Sequence, residues 1–94
     1  MDKNISVNSV IVQKLGLDAT EMDGEIVMMD LNKGKYYSFN SVGSRIWQLV
    51  EKPFSVNALI SVLLEEFNVD EKTCEDTVLD FLNKVYNDEL ISIA

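Results

Sequence analysis

The chain has 94 residues, with sixteen acidic and eight basic side chains and a formal charge of −8. That length suits one small domain, and the charge argues against partners that need Lys/Arg neutralisation, nucleic acid and anionic membranes among them. With no histidine and a single cysteine, imidazole metal sites, Ser-His and Cys-His nucleophile pairs and an internal disulfide are all excluded.

Residues 1 to about 8 are polar and patternless and read as a loose arm. Met1-Asp2-Lys3-Asn4 lacks a secretory pattern, so the expected location is cytoplasmic. Val10-Ile11-Val12 predicts a first strand around Ser9 to Lys14. Leu15 to Asp23 has no clear period and reads as a connecting loop. Gly24 to Asp30 predicts a second strand. Its apolar run, Ile26-Val27-Met28-Met29, is far shorter than the about 20 residues of a membrane span. Asn32-Lys33-Gly34 suits a tight hairpin with Gly34 left-handed, returning as a third strand from Lys35 to Phe39. Alternation places Lys35, Tyr37 and Phe39 on one face and Tyr36 and Ser38 on the other.

Asn40 or Ser41 caps a first helix whose apolar face is Val42, Ile46, Leu49 and Val50, with Trp47 beside it. Pro53 ends it. Ser55 caps a second helix, flanked by Phe54 and Leu59 at staple spacing, and carrying Val56, Leu59, Ile60, Leu63, Leu64 and Phe67. Asp70 or Thr73 caps a third helix reaching about Asn87. This helix is over-supplied with apolar residues. Cys74, Val78, Phe81 and Val85 form one stripe, and Leu79, Leu82 and Tyr86 form a second. Two readings are open for the second stripe. Either Leu90, Ile91 and Ile93 fold back over the helix, or the stripe lines a groove awaiting a partner.

The outline is α+β, a three-stranded antiparallel sheet followed by three helices with winged helix-turn-helix proportions. In a DNA reader the third helix would enter the major groove. Here it presents Glu75, Asp76, Asp80 and Asp88 against Lys72 and Lys84, the wrong sign for a polyanion. A winged-helix DNA-binding regulator is therefore the alternative reading, not the main one. An acyl carrier is disfavoured as well, because Ser41 lies within Asn40-Ser41-Val42, straight after a strand, and not in an Asp-Ser-Leu setting. Cys74 falls on a core stripe with no base to activate it. No cofactor or metal site is expected.

The chain resembles the PqqD-like proteins, also called RiPP recognition elements. The resemblance rests on Gly24-Glu25-Ile26-Val27-Met28-Met29-Asp30, Gly34-Lys35-Tyr36-Tyr37-Ser38-Phe39-Asn40 and Val42-Gly43-Ser44-Arg45-Ile46-Trp47-Gln48-Leu49. Phe54-Ser55-Val56 and Glu75-Asp76-Thr77-Val78-Leu79-Asp80-Phe81-Leu82 extend it, so that it spans roughly Val10 to Ile91. Two features depart from the pattern. Phe39 stands where leucine is commoner, and Asp88-Glu89-Leu90-Ile91 lacks the glycine often found before the final Leu-Ile. The resemblance implies a non-catalytic winged-helix domain that binds the leader of a ribosomally made precursor peptide. The leader adds as an antiparallel strand to the third strand, beside the third helix, and is presented to a maturation enzyme such as a leader peptidase or a radical-SAM enzyme. Lasso-peptide and pyrroloquinoline quinone pathways both use short free-standing members.

Carried onto this sequence, Lys35, Tyr36, Tyr37, Ser38 and Phe39 would pair with the leader, and Leu79, Leu82 and Tyr86 would form the opposite wall. Which of Tyr36 and Tyr37 faces the groove stays open. Docking a disordered leader costs ordering entropy, so affinity near micromolar, about −8 kcal/mol, is expected.

Overall fold

A computed structural model describes residues 5–94. In chain order it forms β1 (Val10–Gln13), β2 (Asp18–Met22), β3 (Glu25–Asp30), β4 (Lys35–Ser38), α1 (Ser41–Leu49), β5 (Phe54–Ser55), α2 (Val56–Glu66), α3 (Glu71–Asn87) and β6 (Ile91–Ile93). The expected α+β class and three helices are present. The single three-stranded sheet is not. Among the described residues there are two antiparallel sheets of three strands, ordered β5-β1-β6 and β2-β3-β4. No described helix is long and apolar enough to cross a membrane.

The second sheet corrects the loop expected at Leu15 to Asp23. β2 is exposed along its whole length, so neither face imposes an apolar alternation on Asp18-Ala19-Thr20-Glu21-Met22. It forms through its turn instead. Met22 pairs with Glu25 across Asp23 and Gly24, both at positive φ (54° and 83°). Asp-Gly is the sequence that two-residue hairpin turns with right-handed strand twist demand. Gly34 closes the following hairpin at φ 65°, as expected. Asp30, buried at its start, accepts from the Asn32 and Lys33 amides at 3.1 and 3.3 Å.

The helix starts follow the sequence. Asn40 accepts from the Gly43 amide at 2.9 Å, Ser55 from Ala58 at 3.1 Å and Asp70 from Thr73 at 3.1 Å. Each cap satisfies an amide that helix geometry leaves without a partner. Arg45 of α1 grips Glu66 of α2 through two 2.8 Å bonds, which hold the arginine's pKa above and the glutamate's below their ordinary values.

The N-terminal arm is a further correction. Residues 1–4 lie outside the described residues, but 5–8 are docked, not loose. Ile5 is 4% exposed within the core, and its amide donates to Asn83 Oδ1 at 3.1 Å. The carbonyls of Val7 and Ser9 accept from the Asn57 and Val56 amides. One apolar residue every few positions is too sparse to register as a pattern, yet it suffices to seal a small core.

Burial of a whole isoleucine side chain is what holds this segment down. Ile5→Ala should lower stability by about 2–3 kcal/mol in a denaturant titration, whereas a loose arm would give no change.

Candidate functional site

Among the described residues β4 is an edge strand, with β3 as its one sheet neighbour. The register fixes which of its backbone groups are free. Val27 faces Ser38, Met28 faces Tyr37, Met29 faces Tyr36 and Asp30 faces Lys35, and the Phe39 amide donates to the Ile26 carbonyl at 2.9 Å. In an antiparallel ladder, hydrogen-bonded pairs alternate. Lys35 and Tyr37 therefore spend their backbone groups on β3, as Phe39 does its amide, and Tyr36 and Ser38 turn theirs to the open side. Two consecutive outward positions make a template for one more strand.

The open edge borders a cleft of about 370 Å³ between β4 and α3. Phe81, Lys84 and Val85 of α3, with its C-cap Asp88, form the wall opposite the strand. Phe39 closes one end, its ring edge-on to Phe81 with centroids 5.1 Å apart. At the other end Lys33 donates to the Asp88 carbonyl at 3.0 Å and pairs with Glu89, tying the hairpin turn to the end of α3. That pair raises the Lys33 pKa and lowers that of Glu89. The cleft is thus pinned at both ends and open between them.

The side chains of β4 divide as alternation requires. Tyr36 is 63% exposed, on the outer face with Met29, although it still borders the cleft at the strand edge. Tyr37 is half-buried and turned inward, and it lines the cleft together with Tyr36. Its hydroxyl is buried with no hydrogen-bond partner among the described residues, and desolvation, then Asp88, pushes its ionisation upward. Lys35 and Ser38 are exposed, and Phe39 is buried.

The expected opposite wall is corrected. Leu82 is fully buried, on a core stripe of Cys74, Val78, Leu82 and Val85. Leu79 and Tyr86 pack against the core from the side of α3 away from β4, where β6 and the docked segment before β1 meet the helix. The fold-back of Leu90, Ile91 and Ile93 is what occupies the second stripe, with Leu90 and Ile91 buried and Ile91–Ile93 paired to β1. Phe81 leaves the core stripe for the cleft because Phe39 and α1 meet it there. The signal for that contact was Gly43. A Cβ at this position would lie 2.8 Å from Phe81 Cε1 and 3.3 Å from Phe39 Cβ. Only glycine lets the helix approach so closely.

Other chemistry is weak. Cys74 is buried, and burial followed by Asp70 pushes its thiol pKa up, away from nucleophilicity. No group of three His, Cys, Asp or Glu side chains among the described residues is placed to hold a metal ion.

Residues 25–91 match the family profile described as Coenzyme PQQ synthesis protein D (PqqD). No curated protein matches the chain. A solved structure, TbiB1 in complex with the TbiA(beta) leader peptide, is similar to it at 31% identity with a TM-score of 0.79, covering 86% of this chain and 94% of that one.

Two substitutions test the cleft geometry. Gly43→Ala forces the Phe81 ring aside and should cost about 1 kcal/mol despite alanine's better helix propensity, with Phe81 and Phe39 ring resonances shifted most. Tyr37→Phe removes an unpartnered buried hydroxyl, so the melting temperature should hold or rise. A fall would mean that the hydroxyl has a partner.

Proposed function

The chain belongs to the PqqD family, and from that membership together with its open edge strand we propose that it captures the leader of a ribosomally made precursor peptide by strand addition to β4. The observation that carries this reading is the pair of outward-facing backbone positions, Tyr36 and Ser38, running along a cleft whose far wall is α3. The similar TbiB1 structure holds a leader peptide. An added antiparallel strand exchanges backbone hydrogen bonds with Tyr36 and Ser38, and these set affinity with little demand on sequence. The cleft side chains, Phe81, Val85 and the aliphatic stem of Lys84, take alternate residues of the peptide and supply selectivity.

The role is binding without catalysis, as in the rest of the family. β3 and β4 serve as the wing of a winged helix whose α2–α3 pair is turned over to peptide recognition. α3 keeps its acidic surface, which speaks against the DNA-binding alternative. The captured precursor passes to a separate maturation enzyme in the cytoplasm, a leader peptidase or a radical-SAM enzyme, as the family resemblance implies.

Calorimetric titration with a synthetic leader, taken from any short precursor found among the open reading frames beside the gene, tests the reading. Binding near micromolar is expected. The Ser38 amide points away from β3, so Ser38→Pro should leave the hairpin paired while weakening binding at least about tenfold. Phe81→Asp should weaken it as much from the opposite wall. If both variants bind like the parent, the peptide does not occupy this cleft.

A further inference from the structure

We propose that an apolar pocket at the N-terminal end of α3 receives one aliphatic or aromatic side chain of the same peptide, from a residue just upstream of the segment paired with β4. The inference rests on the strand-addition reading and extends it to a second, sequence-selective subsite.

The pocket measures about 120 Å³ and is walled by Val42 of α1, Leu63 and Phe67 near the end of α2, and Val78 of α3, with Thr73 and Thr77 on its rim. Leu63 and Val78 are fully buried, while both threonines are exposed, so an apolar interior opens directly to the surface. A hydrocarbon-lined cavity of about 150 Å³ stays dry and accepts a molecule as large as benzene. A leucine, isoleucine or phenylalanine side chain therefore suits this volume, and a polar side chain meets in the walls only the Cys74 thiol, which is already directed at the Ile60 carbonyl.

Its position names the occupant. Thr73, Thr77, Phe81 and Lys84 follow one another at spacings of four, four and three, so they form one ridge on α3 that the C-cap Asp88 continues. The upper part of that ridge rims the pocket, and the lower part is the wall of the β4 cleft. Thr77 and Phe81 are a single turn apart, a rise of about 6 Å. β4 runs from the turn whose Lys33 bonds the C-cap of α3 towards Phe39, which touches Phe81. A strand antiparallel to β4 therefore begins beside Phe39 and Phe81. Traced back from that beginning, the peptide crosses the α1 cap at Asn40 and reaches Val42, the near wall of the pocket. At about 3.3 Å per extended residue, the side chain that enters lies one to three residues upstream.

Selection of a phage-displayed library of random 15-residue peptides tests this. On the parent protein, enriched peptides should carry an apolar residue at a fixed position one to three residues before the paired segment. Serine there should weaken binding about tenfold or more. Thr77→Trp lays an indole over the pocket from an exposed position. It should erase that preference and reduce the serine effect below about twofold, and Thr73→Trp is the second rim variant should the first fail to fold. Enrichment that is lost in Ser38→Pro but shows no upstream apolar preference overturns the pocket and leaves strand addition standing. An upstream preference unchanged in both tryptophan variants overturns it too. A dimer of the parent chain, broken by Thr77→Trp in sedimentation, with no upstream preference, would assign the pocket to a second copy and overturn it. Enrichment indifferent to Ser38→Pro, or none at all, overturns the strand reading and the pocket with it.

Discussion

The cleft depends on one buried hydroxyl. Ser44, 2% exposed on the first turns of α1, accepts from the Ile26 amide at 2.8 Å and donates to the Phe39 carbonyl at 3.1 Å. Those two groups stand at the open end of the β3–β4 hairpin, where Phe39 itself donates to Ile26. A small amphoteric side chain thus satisfies a donor and an acceptor that burial would otherwise leave costly, and it joins the hairpin to the helix in doing so. Ser44's own amide donates to the Asn40 carbonyl, so the cap, the helix and the sheet meet at one point. Loosening this joint would release Phe39, and Phe39 is what sets Phe81 against the cleft.

A rigid edge matters energetically because the two partners of strand addition share the ordering cost unequally. The peptide arrives disordered and must give up its backbone freedom. If β4 also had to order, the net hydrogen-bond gain of about 1 kcal/mol per bond would not cover both. The Ser44 joint at one end and the Lys33 contacts with Asp88 and Glu89 at the other hold β4 in place beforehand. The same exposure makes the edge a hazard for pairing with a second copy. Lys35 at the strand's start and the net charge of −8 both oppose that.

Local signals carried most of the fold and little of the site. Ser55 and Gly34 could be placed, and the other caps narrowed to Asn40 or Ser41 and Asp70 or Thr73, because capping and left-handed turns depend on residues a few positions apart. Asp23-Gly24 was equally local, and its hairpin was missed because a strand exposed on both faces leaves no apolar rhythm to support the turn. The wall of the cleft was of another kind. At helical spacing, Phe81 and Leu82 serve equally well as core residues, and only the other elements decide between them. Ile5 and β6 cover one flank of α3, and Phe39 and Gly43 meet the other. Ile5, Phe39 and Gly43 all lie more than 35 positions before Leu82, and β6 is held in place only by pairing with distant β1, so a periodicity confined to α3 had no means to choose.

Glu89 shows how the chain manages without the glycine often found before the final Leu-Ile in the family. α3 ends with the Leu90 amide donating to the Val85 carbonyl and the Glu89 amide to that of Tyr86, the paired bonds of a Schellman close. The residue at the bend must be left-handed, and Glu89 takes φ 64° there. A non-glycine residue in that region costs roughly 1 kcal/mol. Glycine would avoid the cost, but it has no side chain to offer Lys33. The glutamate turns a helix terminus into an anchor for the hairpin loop, at the end of the cleft that Phe39 does not reach. Local strain at the last turn of α3 is thereby exchanged for a fixed spacing between β4 and the helix, and that spacing is what an added strand must fit.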